Sequence, residues 1–438
     1  MTDRSDHGSR HWTARLSAQG WATLAGIAAI VFFCINIQHP HALFFDETYY
    51  VPAARNLIDL STPLNQEHPP FAKCLIALGI TIFGDDAWGW RLPSALFGGI
   101  ALFGALMFVW ELYRSARIAV LTGIFLIAGH LLFIQSRIAM LDIFMAAFLM
   151  LALWQIAAAV RATSGARKRL AWAGAMLGLS IACKWTAAPY GLAIGVGFLL
   201  WRGGGLGRRA WNLKTLLMDR SAGPVRGVSL LEAGLLLGLL PAIVYLATFI
   251  PMFFFADKAV PPADILSYQW QMAKRQSGTM APHPYSSVWW QWIIDERPIW
   301  YLYEQAEGAI RGVLLLGNPI VMWAGLPALI LSVMMGVKLK NWALFVPTGL
   351  WLVGVEIWIV LPKKVTFYHH YLVPSFFLII ALAATIDYLW LRDRKYVAPA
   401  ILLFAALAVF VDFYPILSAM PLSGSQAFNH WMWLPSWR

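Results

Sequence analysis

Residues 21–50 read WATLAGIAAIVFFCINIQHPHALFFDETYY, an apolar run that ends in two adjacent carboxylates among aromatic residues. The run from about 21 to 38 approaches the roughly 20 residues that a helix needs to cross the hydrocarbon of a bilayer. Asp46 and Glu47 follow it within ten residues. The stretch therefore predicts a membrane helix with a charged segment at its boundary.

The composition of the whole chain agrees with this interpretation. Of 438 residues, 60% are hydrophobic, only 13% are charged and 23 are Trp, which excludes an ordinary soluble globular protein. Long apolar runs, rather than short alternating segments, predict membrane helices. We expect an all-α polytopic membrane protein with about eleven spans, near 21–38, 91–112, 118–136, 143–160, 170–186, 187–201, 229–250, 312–336, 342–361, 371–390 and 397–414.

The formal charge of +11 could suggest nucleic-acid binding, but the positions of the basic residues along the chain indicate membrane topology instead. With the N-terminus inside, most of the 33 Lys and Arg lie in segments on the cytoplasmic side, as the positive-inside rule requires. Gln38-His39-Pro40 offers no cleavage site of small residues, so we expect an uncleaved signal anchor. The predicted location is the inner (plasma) membrane, with the two long loops and the C-terminus outside.

The spans divide the chain into segments. We expect short interfacial helices at 49–60 and 71–83, and a break near Lys184 that separates two short spans within 170–201. The predicted segments are a cytoplasmic N-terminus (1–20), a first transmembrane module (21–250) whose first outer loop covers about 39–90, a second outer loop (251–311), a C-terminal module of four spans (312–414) and an outer tail (415–438).

Several charges fall where hydrocarbon or its boundary should be. A charge at the bilayer centre costs about 2.5 to 3.5 kcal/mol on insertion scales, so such residues usually face a cavity and carry function. Cations and carboxylates together suit a lipid-linked phosphate. The residues concerned are Lys73, Arg91, Arg137 and Lys184. Some of these charges also have explanations without a functional role. Asp46 and Glu47 could be a solvated pair, Arg91 an interfacial anchor, and Arg137 and Asp142 a structural ion pair, while Lys363 and Lys364 could snorkel to water. For the protein as a whole, the alternative is a transporter.

Seven motifs occur in the order of one known family. They are FFDETYYVPAARNL (44–57), EHPPFAKCLIALGITIFGDDAWGWRLPSALFGG (67–99), SRIAMLDIFMAAF (136–148), ACKWTA (182–187), PHPYSSVWWQWIIDERPIWYLYE (282–304), LLGNPIVMW (315–323) and TFYHHYLVPSFFLIIALA (366–383). Together they resemble the protein O-mannosyltransferases, membrane enzymes of the GT-C class. The segment 255–311 is too short for the β-rich repeat module of the eukaryotic members, so the chain is most similar to the compact bacterial branch.

The resemblance implies an inverting transfer of mannose from polyprenyl-phosphate-mannose to Ser or Thr hydroxyls of proteins on the outer face of the membrane. It implies that Asp46 is the catalytic base. The residues expected to bind substrate are Glu47, His68, Lys73, Arg91, Arg137, Asp142, Lys184, His283, Tyr368 and His369, with His370 an alternative to His369. No metal ligand spacing is apparent, so we expect no metal and no cofactor besides the lipid-linked donor. A sibling enzyme that glycosylates a lipid or polysaccharide, like the aminoarabinose transferases, is the alternative.

Overall fold

The structure is a computed structural model that describes residues 17–278, 283–360, 363, 365–393 and 397–438. Helices dominate these residues, with one pair of β-strands. The helices are α1 (Ala18–Cys34), α2 (Glu47–Asp59), α3 (Phe71–Phe83), α4 (Ala87–Tyr113), α5 (Ala116–Ala128), α6 (Leu131–Gln135), α7 (Leu141–Arg161), α8 (Ala166–Cys183), α9 (Ala188–Leu206), α10 (Leu213–Met218), α11 (Leu230–Gly234), α12 (Leu240–Ala247), α13 (Ile265–Gln276), α14 (Trp289–Ile293), α15 (Pro319–Leu339), α16 (Val346–Val360), α17 (Leu372–Asp393) and α18 (Val397–Leu417). The strands are β1 (Ile299–Ala306) and β2 (Ala309–Leu315).

Seven helical segments of the described chain are long and apolar enough to cross a membrane. They are Ala87–Tyr113, Leu141–Arg161, Leu230–Ala247, Pro319–Leu339, Trp342–Val360, Tyr368–Trp390 and Val397–Leu417. The other four predicted spans coincide with α1, α5, α8 and α9. Every predicted span therefore contains a helix, while the count of eleven crossings stays a prediction.

Helix packing places α7 and α17 at the centre. Helix α4 packs against α1 and α7, and α7 packs against α8. Helix α17 packs against α5, α15 and α16. Helices α1 and α4 approach to backbone contact, because a Cβ atom added at Gly99 would lie 2.6 Å from the carbonyl oxygen of Gly26. In lipid the hydrophobic effect does not drive helices together, so close packing of this kind is a main source of helix association.

The short elements between the spans agree with the sequence analysis. Helices α2 and α3 form where the two short helices were expected, with α2 beginning at Glu47 rather than at 49, and their place at the membrane interface stays a prediction. The expected break between two short helices is also confirmed, since α8 ends at Cys183, Lys184 is extended (φ −158°, ψ 133°) and α9 begins at Ala188. At this break between the two helices, the side chain of Lys184 is buried inside the protein.

The β-hairpin was not predicted. Helix α15 begins at Pro319, not near 312 as expected, because Ala309–Leu315 forms strand β2 antiparallel to β1. Val313, Leu314 and Leu315 are buried against protein, so their apolar character reflects packing rather than lipid contact. The hairpin turns at Glu307 and Gly308, which both have positive φ, as tight two-residue hairpin turns require.

The two predicted outer loops meet at one end of the helical bundle. The backbone N–H of Ala256 donates to the Leu60 carbonyl at 2.7 Å, and the Gln276 amide donates to the Glu67 carbonyl at 2.6 Å. The segment before α17 joins them, since the N–H of Ser287 donates to a carbonyl at 366 over 2.8 Å. Residues from 39–90, 251–311 and 365–371 are thereby gathered into one layer.

Candidate active site

Asp46 lies at the N-terminus of α2 in this layer and is half-buried. The Tyr50 hydroxyl, one helical turn further on, donates to Asp46 Oδ2 at 3.3 Å. Burial raises the pKa of Asp46 to about 6, while Lys184 lowers it and Asp142 raises it further. Asp46 is therefore a carboxylate whose pKa lies near neutral pH, which is where a general base works best.

Asp142 and Lys184 form a buried ion pair, and both charges act on the pKa of Asp46. The Lys184 Nζ lies 2.8 Å from both carboxylate oxygens of Asp142. Asp142 stands in the first turn of α7, and Lys184 stands at the break after α8. The alternative pairing of Asp142 with Arg137 is thus not the one observed, since Lys184 takes both carboxylate oxygens.

Lys363 is a second cation in this electrostatic neighbourhood. Burial lowers the pKa of Lys363 to about 8, Lys184 lowers it too, and Asp142 and Asp46 raise it. The side chain of Lys363 is half-buried. Its snorkelling to water stays a prediction, and Lys364 lies outside the described residues.

Glu47 and Arg91 are tied to the protein rather than turned toward a cavity. Both side chains are fully buried, and Arg91 Nε and Nη2 each lie 2.8 Å from a carboxylate oxygen of Glu47. The other guanidinium hydrogens go to the backbone carbonyls of Ile37, Pro40 and Ala42 at 2.6 to 3.1 Å. With all five N–H groups engaged, the geometry favours a positioning role over the predicted contact with phosphate.

Glu47 is saturated in the same way. Its Oε1 also accepts from the N–H of Ala139 at 3.0 Å, and its Oε2 accepts from the N–H of Phe44 at 3.3 Å. The carboxylate of Glu47 therefore has no lone pair left for the predicted contact with sugar or acceptor. The carboxylate instead joins the segment before α2, helix α4 and the segment before α7.

Arg137 and Lys73 also hold backbone. Arg137 Nη1 donates to the carbonyls of Phe33 and Ile35 at 2.6 Å, which satisfies groups at the C-terminal end of α1. Lys73 Nζ donates to the carbonyls of Asn65 and His68 at 2.5 and 3.0 Å. Neither side chain is placed as the predicted phosphate ligand.

Imidazole and aromatic rings border Asp46. His68 packs edge-on to Tyr50, and burial together with Lys184, Lys363 and Lys73 holds the pKa of His68 well below its usual value. His68 is therefore neutral. His369 stacks on Phe367 and His370 and meets Phe45 edge-on, and it lines one cavity with His370 and Asp142.

Tyr368 and His283 are the remaining predicted residues near these rings, and they differ in burial, since Tyr368 is fully buried and His283 is exposed. The Tyr368 hydroxyl donates to Asp295 Oδ1 at 2.5 Å, and the N–H of Gly317 donates to that hydroxyl at 3.1 Å. Burial raises the pKa of Asp295 to about 7. The Tyr368 hydroxyl is thus engaged by protein groups on both sides, and its contact with the lipid phosphate stays a prediction. His283 is exposed and meets the ring of Phe367 at 5.0 Å.

Sequence reasoning missed four residues of this site. Tyr301 on β1 stacks on Phe45 with ring centroids 4.2 Å apart, and Gln135 donates to the Tyr301 hydroxyl at 2.9 Å. Lys363 and Tyr50 complete the set. The i,i+4 spacing of Asp46 and Tyr50 was the available signal for Tyr50, and the charge of Lys363 at the end of a predicted span was the signal for Lys363.

Two family models match most of the chain. The model described as dolichyl-phosphate-mannose-protein mannosyltransferase matches residues 67–218, and the C-terminal four-span region of protein O-mannosyltransferase matches 262–349 and 357–437. A polyprenol-phosphate-mannose–protein mannosyltransferase of Mycolicibacterium smegmatis is 26% identical over 96% of this chain and 93% of its own length. The chain belongs to the protein O-mannosyltransferase family.

Solved structures agree on the fold of this protein O-mannosyltransferase. The Saccharomyces cerevisiae Pmt1–Pmt2 complex bound to the sugar donor matches with a TM-score of 0.74 at 14% identity, over 95% of this chain and 92% of that chain. ArnT from Cupriavidus metallidurans bound to undecaprenyl phosphate matches with a TM-score of 0.53 at 16% identity, over 92% and 71%. The predicted family, GT-C fold and glycosyltransferase class are therefore confirmed.

Proposed function

We propose that this protein O-mannosyltransferase moves mannose from polyprenyl-phosphate-mannose to Ser or Thr hydroxyls of proteins. The observation that carries the proposal is Asp46, half-buried, hydrogen-bonded by Tyr50 and with a pKa of about 6 on which the cations Lys184 and Lys363 both act. A base beside cations is what a transfer from a phosphate ester to a hydroxyl needs. The names of the relatives supply the sugar and the lipid.

In the proposed step, the acceptor hydroxyl attacks the anomeric carbon of mannose while Asp46 takes its proton. The bond from that carbon to the phosphate oxygen breaks, and polyprenyl phosphate leaves with the electron pair. Lys184 and Lys363 stabilise the charge that develops on the phosphate, so a general acid is not required. A single displacement inverts the anomeric carbon, so a β-linked donor gives an α-linked product.

Glu47 and Arg91 position Asp46 in this proposal without contacting substrate. Their ion pair holds the backbone that precedes α2 through the carbonyls of residues 37, 40 and 42 and the N–H group of residue 44, and it ties this segment to the N–H group of residue 139. A base must be held within a fraction of an ångström of its working position. The buried pair supplies that rigidity directly next to Asp46 in the chain.

His68 and His369 complete the proposed substrate contacts. Each has a buried Nδ1 with no protein partner in the described structure. A buried polar atom without a partner costs free energy, which substrate hydroxyl or phosphate oxygen atoms would recover. Neutral imidazoles can serve as donors or acceptors to a sugar.

The orientation completes the proposal. Following the positive-inside rule, the N-terminus lies in the cytoplasm, and the layer of 39–90 and 251–311 lies on the outer face of the inner membrane. The transfer step needs no metal, because Asp142 is paired with Lys184, and Glu47 with Arg91. Turnover should persist in a chelator; loss of turnover that manganese restores would overturn this part.

The test is transfer of labelled mannose from polyprenyl-phosphate-mannose by the purified chain in lipid nanodiscs. Asp46→Asn should lower turnover by about 10² to 10⁴, the usual contribution of a general base. Asp412→Asn, an exposed carboxylate paired with His430, is the matched control. Undiminished transfer by Asp46→Asn removes Asp46 from its role. Label in the lipid fraction instead of protein would favour a lipid acceptor.

A further inference from the structure

Three side chains that can ligate a metal ion converge at the hairpin turn. His39 Nδ1 lies 2.6 Å from Glu307 Oε2, and His41 Nδ1 lies 2.5 Å from Glu307 Oε1. One ligand atom from each residue falls within 4.8 Å of the other two. Among the described residues, these are the His, Cys, Asp and Glu side chains that come close enough in a group of three to share an ion. Asp46 is not a member of this group.

Both sides of the cluster are held in place by other contacts. The carbonyl of Pro40, between the two histidines, accepts from Arg91 at 2.6 Å. On the other side, Arg311 lies 3.0 Å from Glu307 Oε2 and donates to the carbonyl of Ala419 at 2.7 Å. The three ligands therefore come from two anchored segments. Outer contacts of this kind orient metal ligands in proteins.

The donor set points to a particular class of ion. Two imidazole nitrogens and one carboxylate oxygen suit zinc and similar divalent transition metals, with the fourth position open to water. Each imidazole would bind through Nδ1 and keep its proton on Nε2. Tetrahedral bonds of about 2.0 to 2.2 Å place ligand atoms about 3.3 to 3.6 Å apart, so the two N···O separations of 2.6 and 2.5 Å would have to widen. Rotation of the exposed His41 side chain allows this.

We propose that His39, His41 and Glu307 bind one divalent transition-metal ion, with zinc the best match, and that the ion fastens the β-hairpin to the segment before α2. The proposal does not rest on the proposed function. Its structural consequence reaches the site through Tyr301 on β1, which stacks on Phe45 beside Asp46. The ion would act on stability and on the position of the hairpin, not on the transfer step.

The experiment uses the full chain without a polyhistidine tag, in nanodiscs, stripped with a chelator and then titrated with zinc. We expect one equivalent of bound zinc per chain by elemental analysis, and a rise in the thermal midpoint. His41→Asn and Glu307→Gln should each weaken zinc binding at least tenfold. His430→Asn, also a half-exposed histidine paired with a carboxylate, should keep the full equivalent.

Several results would overturn the proposal. These are no bound zinc above background, unchanged binding in both His41→Asn and Glu307→Gln, or equal loss in His430→Asn. A thermal midpoint that depends on pH but not on zinc would mean a plain ion cluster and also overturn it. Turnover of stripped wild-type chain, measured well below its thermal midpoint, should persist, so failure of the zinc site and failure of the transfer proposal remain distinguishable.

Discussion

The neighbouring carboxylates Asp46 and Glu47 should respond in opposite ways to replacement by the matching amide. Asn at position 46 can still accept from Tyr50, which lies 3.3 Å from Oδ2. Because burial raises the pKa of Asp46 above its unfolded value, the ionised carboxylate destabilises the fold at neutral pH. Asp46→Asn should therefore unfold no earlier than wild type, while its turnover falls by about 10² to 10⁴.

Glu47→Gln should have a large effect on stability. The replacement leaves the fully buried Arg91 cation without a counter-charge, and the new amide N–H₂ faces N–H groups of Arg91 or Ala139. Breaking a buried pair by removing one partner typically costs about 3 to 5 kcal/mol. That is a large share of the stability of an ordinary domain, so the folded yield and thermal midpoint should both drop.

Stability is measured by thermal unfolding in nanodiscs, followed by intrinsic fluorescence. Turnover is measured as label transfer per folded molecule. Asp412→Asn should change neither, since that carboxylate is exposed. The reasoning fails if Glu47→Gln unfolds with wild type and loses turnover as Asp46→Asn does. In that case Glu47 would act on substrate, as the sequence alone predicted.

Three further outcomes follow from the geometry. Because the pKa of Asp46 is about 6 and its ionised form is the base, kcat/KM should fall tenfold per pH unit below about 6, and Asp46→Asn should abolish that limb. Lys363→Gln should raise KM for the donor by about tenfold, roughly the loss of one charge-assisted hydrogen bond, with a smaller effect in high salt. Gly317→Ala should lower the thermal midpoint, because its Cβ would lie 2.6 Å from the Tyr368 hydroxyl, whereas Gly349→Ala meets nothing within 4 Å and should not.

The helical architecture could be predicted because membrane spans are a local property of sequence. Each predicted span contains a helix, and the break at Lys184 was visible as a charge inside an apolar run. The hairpin was missed for the same reason. Residues 312–315 are apolar because they pack inside protein, and hydropathy does not distinguish that environment from lipid.

The partners of the buried charges could not be predicted. Sequence shows that Arg91 and Lys184 must be compensated, but not by which group. Glu47 lies 44 residues from Arg91, and Asp142 lies 42 residues from Lys184. Only the packing of α4, α7 and α8 brings each buried cation to its carboxylate. Both cations are therefore neutralised by groups that are distant in sequence.

The surroundings of Asp46 link donor binding to its basicity. In the free chain, Lys184 favours the ionised form of Asp46 and so lowers its pKa against the effect of burial. An anionic donor phosphate seated on Lys184 and Lys363 would offset their positive field, and would exclude water as well. Both changes raise the pKa of Asp46, because each disfavours its charged form. The base therefore becomes stronger when the donor is present, and the acid limb of kcat should lie at higher pH than that of kcat/KM.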